Sequence, residues 1–239
     1  MATSRCSDRL RLAGLVLAGL LCTLVPAYGQ ALPSNAQLHL PVLLQEITDH
    51  WPDVPLRSAL GAQVEQETCS SLKSQRCWNP RTELKTDREY GFGLGQLTVT
   101  SRFNAFEEVR GLDPSLKTWK WAERYDPIRQ LRALVLKDRF NFDRFPRAAT
   151  PLDQLAFGIA AYNGGVGGTL NDITLCRATP SCDSGIWTGH VETTSTKSRT
   201  KWKGYGQSAF EINRGYVRQI LGPRRVKYVG PMRDFEREE

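Results

Sequence analysis

Apolar residues recur at helical spacing along most of the chain. The pattern predicts helices over residues 41–52, 53–68, 126–145, 153–162 with a continuation at 170–175, and 208–221. Asp53 with Pro55, and Asp126 with Pro127, are typical of helix starts. Residues 70–95 are polar and glycine-rich, with no sustained period, and are typical of a long loop or a short hairpin. Other strand signals are few, and the hairpin would lie around 83–98. The sequence therefore predicts a mainly α domain with a small β-hairpin.

The N-terminus differs from the rest of the chain. Its first 29 residues contain three arginines and the apolar run Leu12–Val25, and they end on small residues. This pattern is typical of a cleaved signal peptide, and the run is shorter than the roughly 18 residues that a membrane anchor needs. Lipidation at Cys22 would need a small residue before it, where Leu21 stands. We expect a periplasmic or secreted protein with no stable membrane anchor.

Charge narrows the choice of partner. Without residues 1–29 the chain has 29 basic and 24 acidic residues, a formal charge of +5. This excess of positive charge suits an anionic partner. The alternative is that it only keeps the protein soluble, because the basic residues are spread along the chain and form no basic run. Nucleic acid is therefore not expected. About 210 residues suit one domain, which we predict at 30–229, followed by a charged tail at 230–239.

Four cysteines lie outside the predicted signal peptide: Cys69, Cys77, Cys176 and Cys182. They form two local pairs, which in an exported protein favours two small disulfide loops, although four cysteines permit three connectivities. The loops would pin insertions at 69–77 and 176–206. Zinc sites favour closer cysteine or histidine spacing, and His39, His50 and His190 are far apart, so no metal site is expected.

Two glutamates stand near the end of the second predicted helix. On an ideal helix Leu56, Leu60 and Val64 define an apolar stripe that includes Glu67, whereas Glu65 falls on the opposite, solvent side. A carboxyl on an apolar face loses hydration, which raises its pKa as a general acid requires. Glu67 is therefore the candidate catalyst. The competing interpretation is that Glu67, near the helix end, simply reaches solvent or an arginine.

Several short motifs occur in a fixed order along the chain. They are Glu67-Thr68 with Trp78-Asn79-Pro80, Gly93-Leu94-Gly95-Gln96, Ala161-Tyr162-Asn163-Gly164-Gly165, and the segment from Arg214 to Leu221. Each is weak alone, but together they span about 160 residues. The set resembles the soluble-type lytic transglycosylases, relatives of the lysozymes, which carry Glu-Ser, aromatic-Asn-Pro, Gly-Leu-Met-Gln and Ala-Tyr-Asn-x-Gly motifs and a similar closing helix.

The match has departures. Gly95 replaces the methionine of the second motif, and Asp87 to Gly91 replace a Ser-x-x-Gly-Ala stretch before it. Ile212 and Asn213 occupy the places of a Glu-Thr pair, so no role is carried onto Glu211.

The resemblance implies a lysozyme-like α+β fold and cleavage of peptidoglycan glycan strands. The bond cut would be the β-1,4 bond from N-acetylmuramic acid to N-acetylglucosamine, leaving 1,6-anhydro ends without use of water. In this scheme a single glutamate acts first as acid and then as base, and the family needs no cofactor. Family members often open the wall locally for secretion or conjugation machines, so such a machine is an expected partner by analogy.

The resemblance also implies roles for individual residues. Glu67 would be the catalyst, Gln96 would hold an amide of the substrate, and Gly93 would let the backbone approach the sugar. Tyr162 would steady Glu67 through its hydroxyl, and Asn163 would shape the site. The competing interpretations are a tight turn with no ligand at the glycines and a core-filling tyrosine at 162.

Two other functions stay open. If Glu89 points into the cleft it could position a water, which would favour hydrolysis of the lysozyme kind over anhydro ring closure; a solvated loop glutamate is the simpler interpretation. The other possibility is a protein that is not an enzyme: an exported module that binds peptidoglycan and does not cleave it.

Overall fold

The computed structural model describes residues 31–69, 77–87, 89–202 and 206–234. Over these ranges the chain is mainly helical with a small antiparallel sheet, which confirms the predicted fold class. The predicted signal peptide lies outside the described residues. Within them, no helix has both the length and the apolar character needed to span a bilayer.

Eight α-helices lie in the described ranges: α1 (Ser34–His50), α2 (Arg57–Thr68), α3 (Ala105–Arg110), α4 (Pro127–Phe142), α5 (Pro151–Gly164), α6 (Val166–Arg177), α7 (Ala209–Gln219) and α8 (Val229–Met232).

Helix α4 begins as predicted, because Asp126 accepts hydrogen bonds from two backbone N–H groups of its first turn. Helix α5 ends at Gly164 and is followed by Gly165, whose φ of 77° suits glycine. The segment after α7 continues in irregular helical turns through 220–228.

The sheet has three strands in sequential order: β1 (Glu83–Lys85), β2 (Tyr90–Phe92) and β3 (Leu97–Val99). Gly91 is the pairing partner of Leu84 on one side and of Thr98 on the other. The predicted hairpin around 83–98 is therefore confirmed and gains a third strand. This sheet forms one wall of the cleft described below.

Two helix starts differ from the prediction. Helix α1 begins at Ser34 and runs through Pro41, because Ala36 and Leu40 extend its apolar face into the core. Helix α2 begins at Arg57 after Leu56, with no side-chain cap, so Asp53 does not cap it. In both places burial of apolar residues outweighs the local sequence signals.

Helix α2 runs through the interior. Every residue from Ser58 to Glu65 is buried, because α1 packs on one side while α7, α8 and the turns at 220–228 pack on others. Most of α2 therefore has no side that faces solvent. For such a helix, a division of the sequence into an apolar and a polar face does not show which residues are buried.

Glu65 shows the consequence of this burial. Its Oε1 accepts hydrogen bonds from Arg224 at 2.8 Å and Lys227 at 2.9 Å, and its Oε2 accepts one from the Tyr228 hydroxyl at 2.6 Å. The prediction that Glu65 faces solvent is wrong, because the C-terminal segment brings two cations to a carboxylate that is completely buried.

Both predicted disulfides are confirmed. Cys69 is bonded to Cys77 directly after α2, and Cys176 to Cys182 after α6. The hydroxyl of Thr68 accepts a hydrogen bond from the backbone N–H of the next described segment, at Trp78, over 2.8 Å. The disulfide and this hydrogen bond both fix the end of the helix that carries Glu67.

The segment after the second disulfide is tied to the helices through Asp172. This buried carboxylate accepts hydrogen bonds from Lys197 at 2.6 Å, from the backbone N–H of Thr196 at 2.8 Å, and from Arg214 at 2.9 Å. The predicted insertion thus packs against α6 and α7, and it brings Lys197 to the edge of the cleft.

The first residues of the predicted tail pack against α2. Met232 is buried in the core, and Asp234 accepts a hydrogen bond from the backbone N–H of Ser58 at 2.8 Å. Residues 235–239 lie outside the described ranges. The described part of this segment therefore contributes to the fold around α2.

The buried cluster at Glu65 gives a stability prediction. Glu65→Gln leaves Arg224 and Lys227 buried without their counter-charge, which typically costs about 3–5 kcal/mol. Urea unfolding of the variant and the wild type measures this difference. The control is Glu107→Gln, which breaks an exposed pair with Arg110 and should cost no more than about 1 kcal/mol. Equal losses in the two variants would contradict the buried-pair account.

Candidate active site

A two-chambered cleft lies in front of the end of α2. The first chamber has a volume of about 900 Å³ and the second about 780 Å³. Five residues line both: Glu89, Gln96, Thr98, Tyr162 and Asn163. The chambers therefore adjoin, and together they form one continuous groove.

Glu67 projects into the first chamber from the last turn of α2. It is only partly exposed, and its Oε1 accepts a hydrogen bond from the hydroxyl of Tyr216. Burial raises the pKa of Glu67 to about 8; the bond from Tyr216 lowers it, and the nearby carboxyl of Asp138 adds a further increase. At neutral pH Glu67 is therefore mostly protonated, the state that a general acid needs.

The tyrosine bonded to Glu67 is not the one expected. Tyr162 donates its hydroxyl to the carbonyl oxygen of Gly95 at 2.7 Å, and Tyr216 of α7 supplies the hydrogen bond to Glu67. The steadying role predicted for Tyr162 is corrected accordingly. Tyr216 lies in the fourth motif, the segment from Arg214 to Leu221. The sequence predicted a helix there, but it did not indicate that the side chain of Tyr216 points toward Glu67. Burial raises the pKa of both tyrosines well above the usual value, so they stay donors.

Tyr162 also explains the glycine at position 95. A Cβ at this position would lie 2.6 Å from the Tyr162 hydroxyl oxygen, closer than non-bonded atoms tolerate. A larger residue here would have to displace the hydroxyl that donates to the Gly95 carbonyl oxygen, so glycine at position 95 suits the close approach of Tyr162.

Gln96 lines the groove as predicted. Its Nε2 donates to the backbone oxygens of Thr82 at 3.1 Å and Gly93 at 3.0 Å, which fixes the plane of the amide. Both hydrogens of Nε2 point to these oxygens, so Oε1 is the atom of the amide that can accept a bond from a ligand.

The structure does not bring Gly93, the predicted point of backbone approach to the sugar, into the lining of either chamber. Its φ is 78°, and a Cβ there would lie 2.5 Å from the side chain of Gln130. Gln130, which sequence reasoning missed, accepts from the backbone N–H of Leu94 at 2.9 Å and donates to the Pro80 oxygen at 2.9 Å. Gly93 thus shapes the turn that presents Gln96.

Asn163 lines both chambers, and its side chain is fixed by a hydrogen bond from α7. Its Oδ1 accepts a hydrogen bond from Asn213 at 3.1 Å, and Asn213 also donates to the Ala160 oxygen at 2.9 Å. The guanidinium of Arg214 bonds both Asn213 and Asp172. The network therefore connects the wall of the groove to the segment that follows the second disulfide.

Three further acidic residues line the first chamber: Glu83, Glu89 and Glu211. Glu89 lines both chambers and is only partly exposed, so its carboxyl lies beside the groove. Glu211 accepts a hydrogen bond from the backbone N–H of Ser208 at 2.7 Å, while the Ser208 hydroxyl caps α7 in return. Glu211 thus serves the helix start, in line with the absence of a predicted role.

Exposed apolar side chains complete the walls. Leu84 and Trp202 line the first chamber, and Phe103 and Leu170 line the second. A groove with polar groups in its floor and apolar side chains on its walls suits a ligand with both characters.

No protein-family model matches the chain, and no curated protein matches it significantly. Within the described ranges, no group of three or more His, Cys, Asp or Glu side chains is arranged to hold a metal ion. A functional assignment therefore depends on the geometry of the groove and on the motifs.

The raised pKa of Glu67 gives a pH-dependent stability. Between the usual unfolded value of about 4.3 and about 8, the folded protein keeps a proton that the unfolded chain has released. The free energy of unfolding therefore falls as pH rises through this window. Glu67→Gln keeps an acceptor for Tyr216 and never ionises, so we expect it to exceed the wild type in stability by about 1–3 kcal/mol at pH 8.

Urea unfolding at a series of pH values measures this difference. The gap should close toward pH 4, and Glu107→Gln, whose side chain is exposed, should show no comparable gap. Parallel stability curves for the wild type and Glu67→Gln would contradict the raised pKa.

Proposed function

We propose that the protein is a peptidoglycan lytic transglycosylase of the soluble type, with a lysozyme-like fold. It cleaves the β-1,4 bond from N-acetylmuramic acid to N-acetylglucosamine and leaves 1,6-anhydro ends. The observation that carries this proposal is the placement of Glu67, a carboxyl mostly protonated at neutral pH, in the wall of a groove formed by two adjoining chambers. Gln96, Tyr162, Asn163 and Tyr216, from three of the motifs, line the same chamber.

The chemistry follows from one carboxyl used twice. Protonated Glu67 gives its proton to the glycosidic oxygen as the bond from that oxygen to C1 breaks, and the leaving sugar departs as an alcohol. The Glu67 carboxylate then takes the proton of the C6 hydroxyl of the muramic acid while O6 bonds to C1. Glu67 ends protonated, and no water is consumed. A pKa near neutrality suits both steps.

The surroundings of Glu67 support this use. The Tyr216 hydroxyl donates to the carboxyl, and this bond grows stronger once the proton has left, which favours the developing carboxylate. Oε1 of Gln96 can accept from the N–H of a sugar acetamido group. The apolar walls offer surfaces to the faces of the sugar rings.

The remaining features fit an envelope protein. Two disulfides are typical of an oxidising compartment, which supports a periplasmic or secreted location. The mild positive charge of the chain suits glycan strands that carry acidic muramyl and peptide groups. Service to a secretion or conjugation machine is proposed by analogy with the family alone.

A lysozyme-type hydrolase is the second candidate, and one observation favours it. Glu89 lines both chambers, so a second carboxyl could orient a water toward C1. A non-catalytic peptidoglycan-binding module is less well supported, because binding alone gives no reason to bury the carboxyl of Glu67 beside a tyrosine donor.

Two variants separate these functions on purified peptidoglycan. Glu67→Gln removes the transferable proton and should lower the release of soluble fragments by about 10³-fold, within the range for general acid–base catalysis, with folding retained. Glu89→Gln should keep most of the activity if the C6 hydroxyl is the nucleophile. Chromatography of the released fragments gives the rates, and Glu107→Gln outside the groove is the matched control.

Each other outcome has a definite meaning. Wild-type release by Glu67→Gln would refute Glu67 as the catalyst. A loss in Glu89→Gln as large as that in Glu67→Gln would favour the hydrolase. Sedimentation of the wild type with peptidoglycan, with no fragment released, would favour the binding module.

A further inference from the structure

A buried glutamine outside the groove bonds three separate parts of the chain. Gln130 of α4 is 2% exposed and is absent from the lining of both chambers. Its Oε1 accepts a hydrogen bond from the backbone N–H of Leu94 at 2.9 Å, and its Nε2 donates to the carbonyl oxygens of Pro80 at 2.9 Å and Arg124 at 2.7 Å. The oxygen and both hydrogens of this amide therefore have backbone partners.

The bond to Leu94 fixes a peptide group that Gln96 also contacts. The N–H of Leu94 and the carbonyl of Gly93 belong to one trans peptide group, in which they point in opposite directions. On the carbonyl side, the Gly93 oxygen accepts a hydrogen bond from the backbone N–H of Gln96 at 3.2 Å and from its Nε2 at 3.0 Å. Gln130 and Gln96 therefore bind opposite edges of the same rigid plane.

Gln130 also fixes the second acceptor of the Gln96 amide. That acceptor is the carbonyl oxygen of Thr82, 3.1 Å from Nε2. The backbone N–H of Thr82 donates to the Asn79 oxygen at 2.9 Å, which closes a turn around Pro80, and the Pro80 oxygen accepts from Gln130. Both carbonyl groups that fix the plane of the Gln96 amide are thus close in the chain to atoms that Gln130 bonds.

The backbone of Gln96 needs this support. Its φ is 42°, in the left-handed region that residues with a side chain rarely adopt. Such a conformation costs free energy and persists only where the surrounding contacts hold it. The amide of Gln130 packs directly against this turn, since a Cβ on Gly93 would lie 2.5 Å from it.

We propose that Gln130 is a positioning residue for substrate binding: it holds the Gly93–Leu94 peptide group, and through that group the side chain of Gln96. Oε1 of Gln96 lies beside Gly91 in the wall of the first chamber, and in this position it accepts an N–H of the ligand. Gln130 itself does not touch the ligand. The consequence for turnover rests on the proposed function, whereas the hold on the Gln96 amide does not.

A double-mutant cycle on soluble glycan strands of peptidoglycan tests the proposal. Gln130→Met keeps the length of the side chain and removes its three hydrogen bonds. Because Gln96 then binds substrate less well, KM should rise by about 3- to 10-fold, as expected for the loss of one hydrogen bond, with kcat within about twofold. In protein that already carries Gln96→Ala, the same change should leave KM within about twofold.

The matched control is Gln154→Met. Gln154 of α5 also donates from Nε2 to a backbone oxygen, that of Phe142 at 3.0 Å, but it lines neither chamber. This variant should keep the KM of the wild type. If Gln130 only stabilised the fold, Gln130→Met would raise KM equally with and without Gln96→Ala, or in neither case. Each of these results would overturn the proposal.

Hydrogen exchange of the Gln96 side-chain amide gives a readout that does not need activity. Both hydrogens of its Nε2 are bonded to backbone oxygens, so they should exchange slowly with water. Nitrogen-15 NMR follows the exchange, and the signals are identified by their loss in Gln96→Ala. Exchange should become faster by about tenfold in Gln130→Met and stay unchanged in Gln154→Met.

The two readouts separate this inference from the proposed function. Faster exchange in a protein that never cleaves peptidoglycan would support the inference and refute the function. Cleavage of peptidoglycan together with unchanged exchange in Gln130→Met would overturn the inference and leave the function in place.

Gln130→Glu provides the test if Gln130→Met fails to fold. At neutral pH its carboxylate has no hydrogen to donate to the carbonyl oxygens of Pro80 and Arg124. The turn around Pro80 is then released, and the Gln96 amide should exchange faster than in the wild type. Unchanged exchange in this variant would overturn the proposal.

Discussion

The buried carboxylate of Glu65 holds the helix that carries the candidate catalyst. Arg224, Lys227 and Tyr228 reach it from the far end of the chain, and the cluster ties α2 to the turns at 220–228. Because α2 is enclosed along most of its length, its last turn has little freedom. The placement of Glu67 in the groove, and the hydrogen bond that it accepts from Tyr216, both depend on this enclosure.

Two glutamates separated by one residue thus meet opposite environments on the same helix. Glu65 contacts two cations and a tyrosine, which suits a structural anion. Glu67 accepts a bond from a neutral hydroxyl, and burial keeps its proton in place. The charges brought by the surrounding chain therefore assign the roles, and the helix itself does not.

The local features of the fold could be predicted from the sequence, whereas the contacts across it could not. Asp126 before Pro127 and Gly165 after α5 mark helix ends through their own backbone preferences, and the close cysteine pairs form the expected disulfides. The prediction for Glu65 was wrong because Arg224 and Lys227, the cations that bind its carboxylate, lie about 160 residues later in the chain. Two other contacts depend in the same way on the packing of distant helices. Tyr216, and not the predicted Tyr162, donates to Glu67, and Gln63 of α2 donates to Asp138 of α4.

The central claim is that Glu67 closes an anhydro ring without water. Digestion of peptidoglycan by the wild type in water labelled with oxygen-18, followed by mass spectrometry of the fragments, tests it most directly. The account predicts muramic acid ends that lack the elements of one water and carry no label. Reducing ends with oxygen-18 at C1, formed in place of anhydro ends, would contradict it.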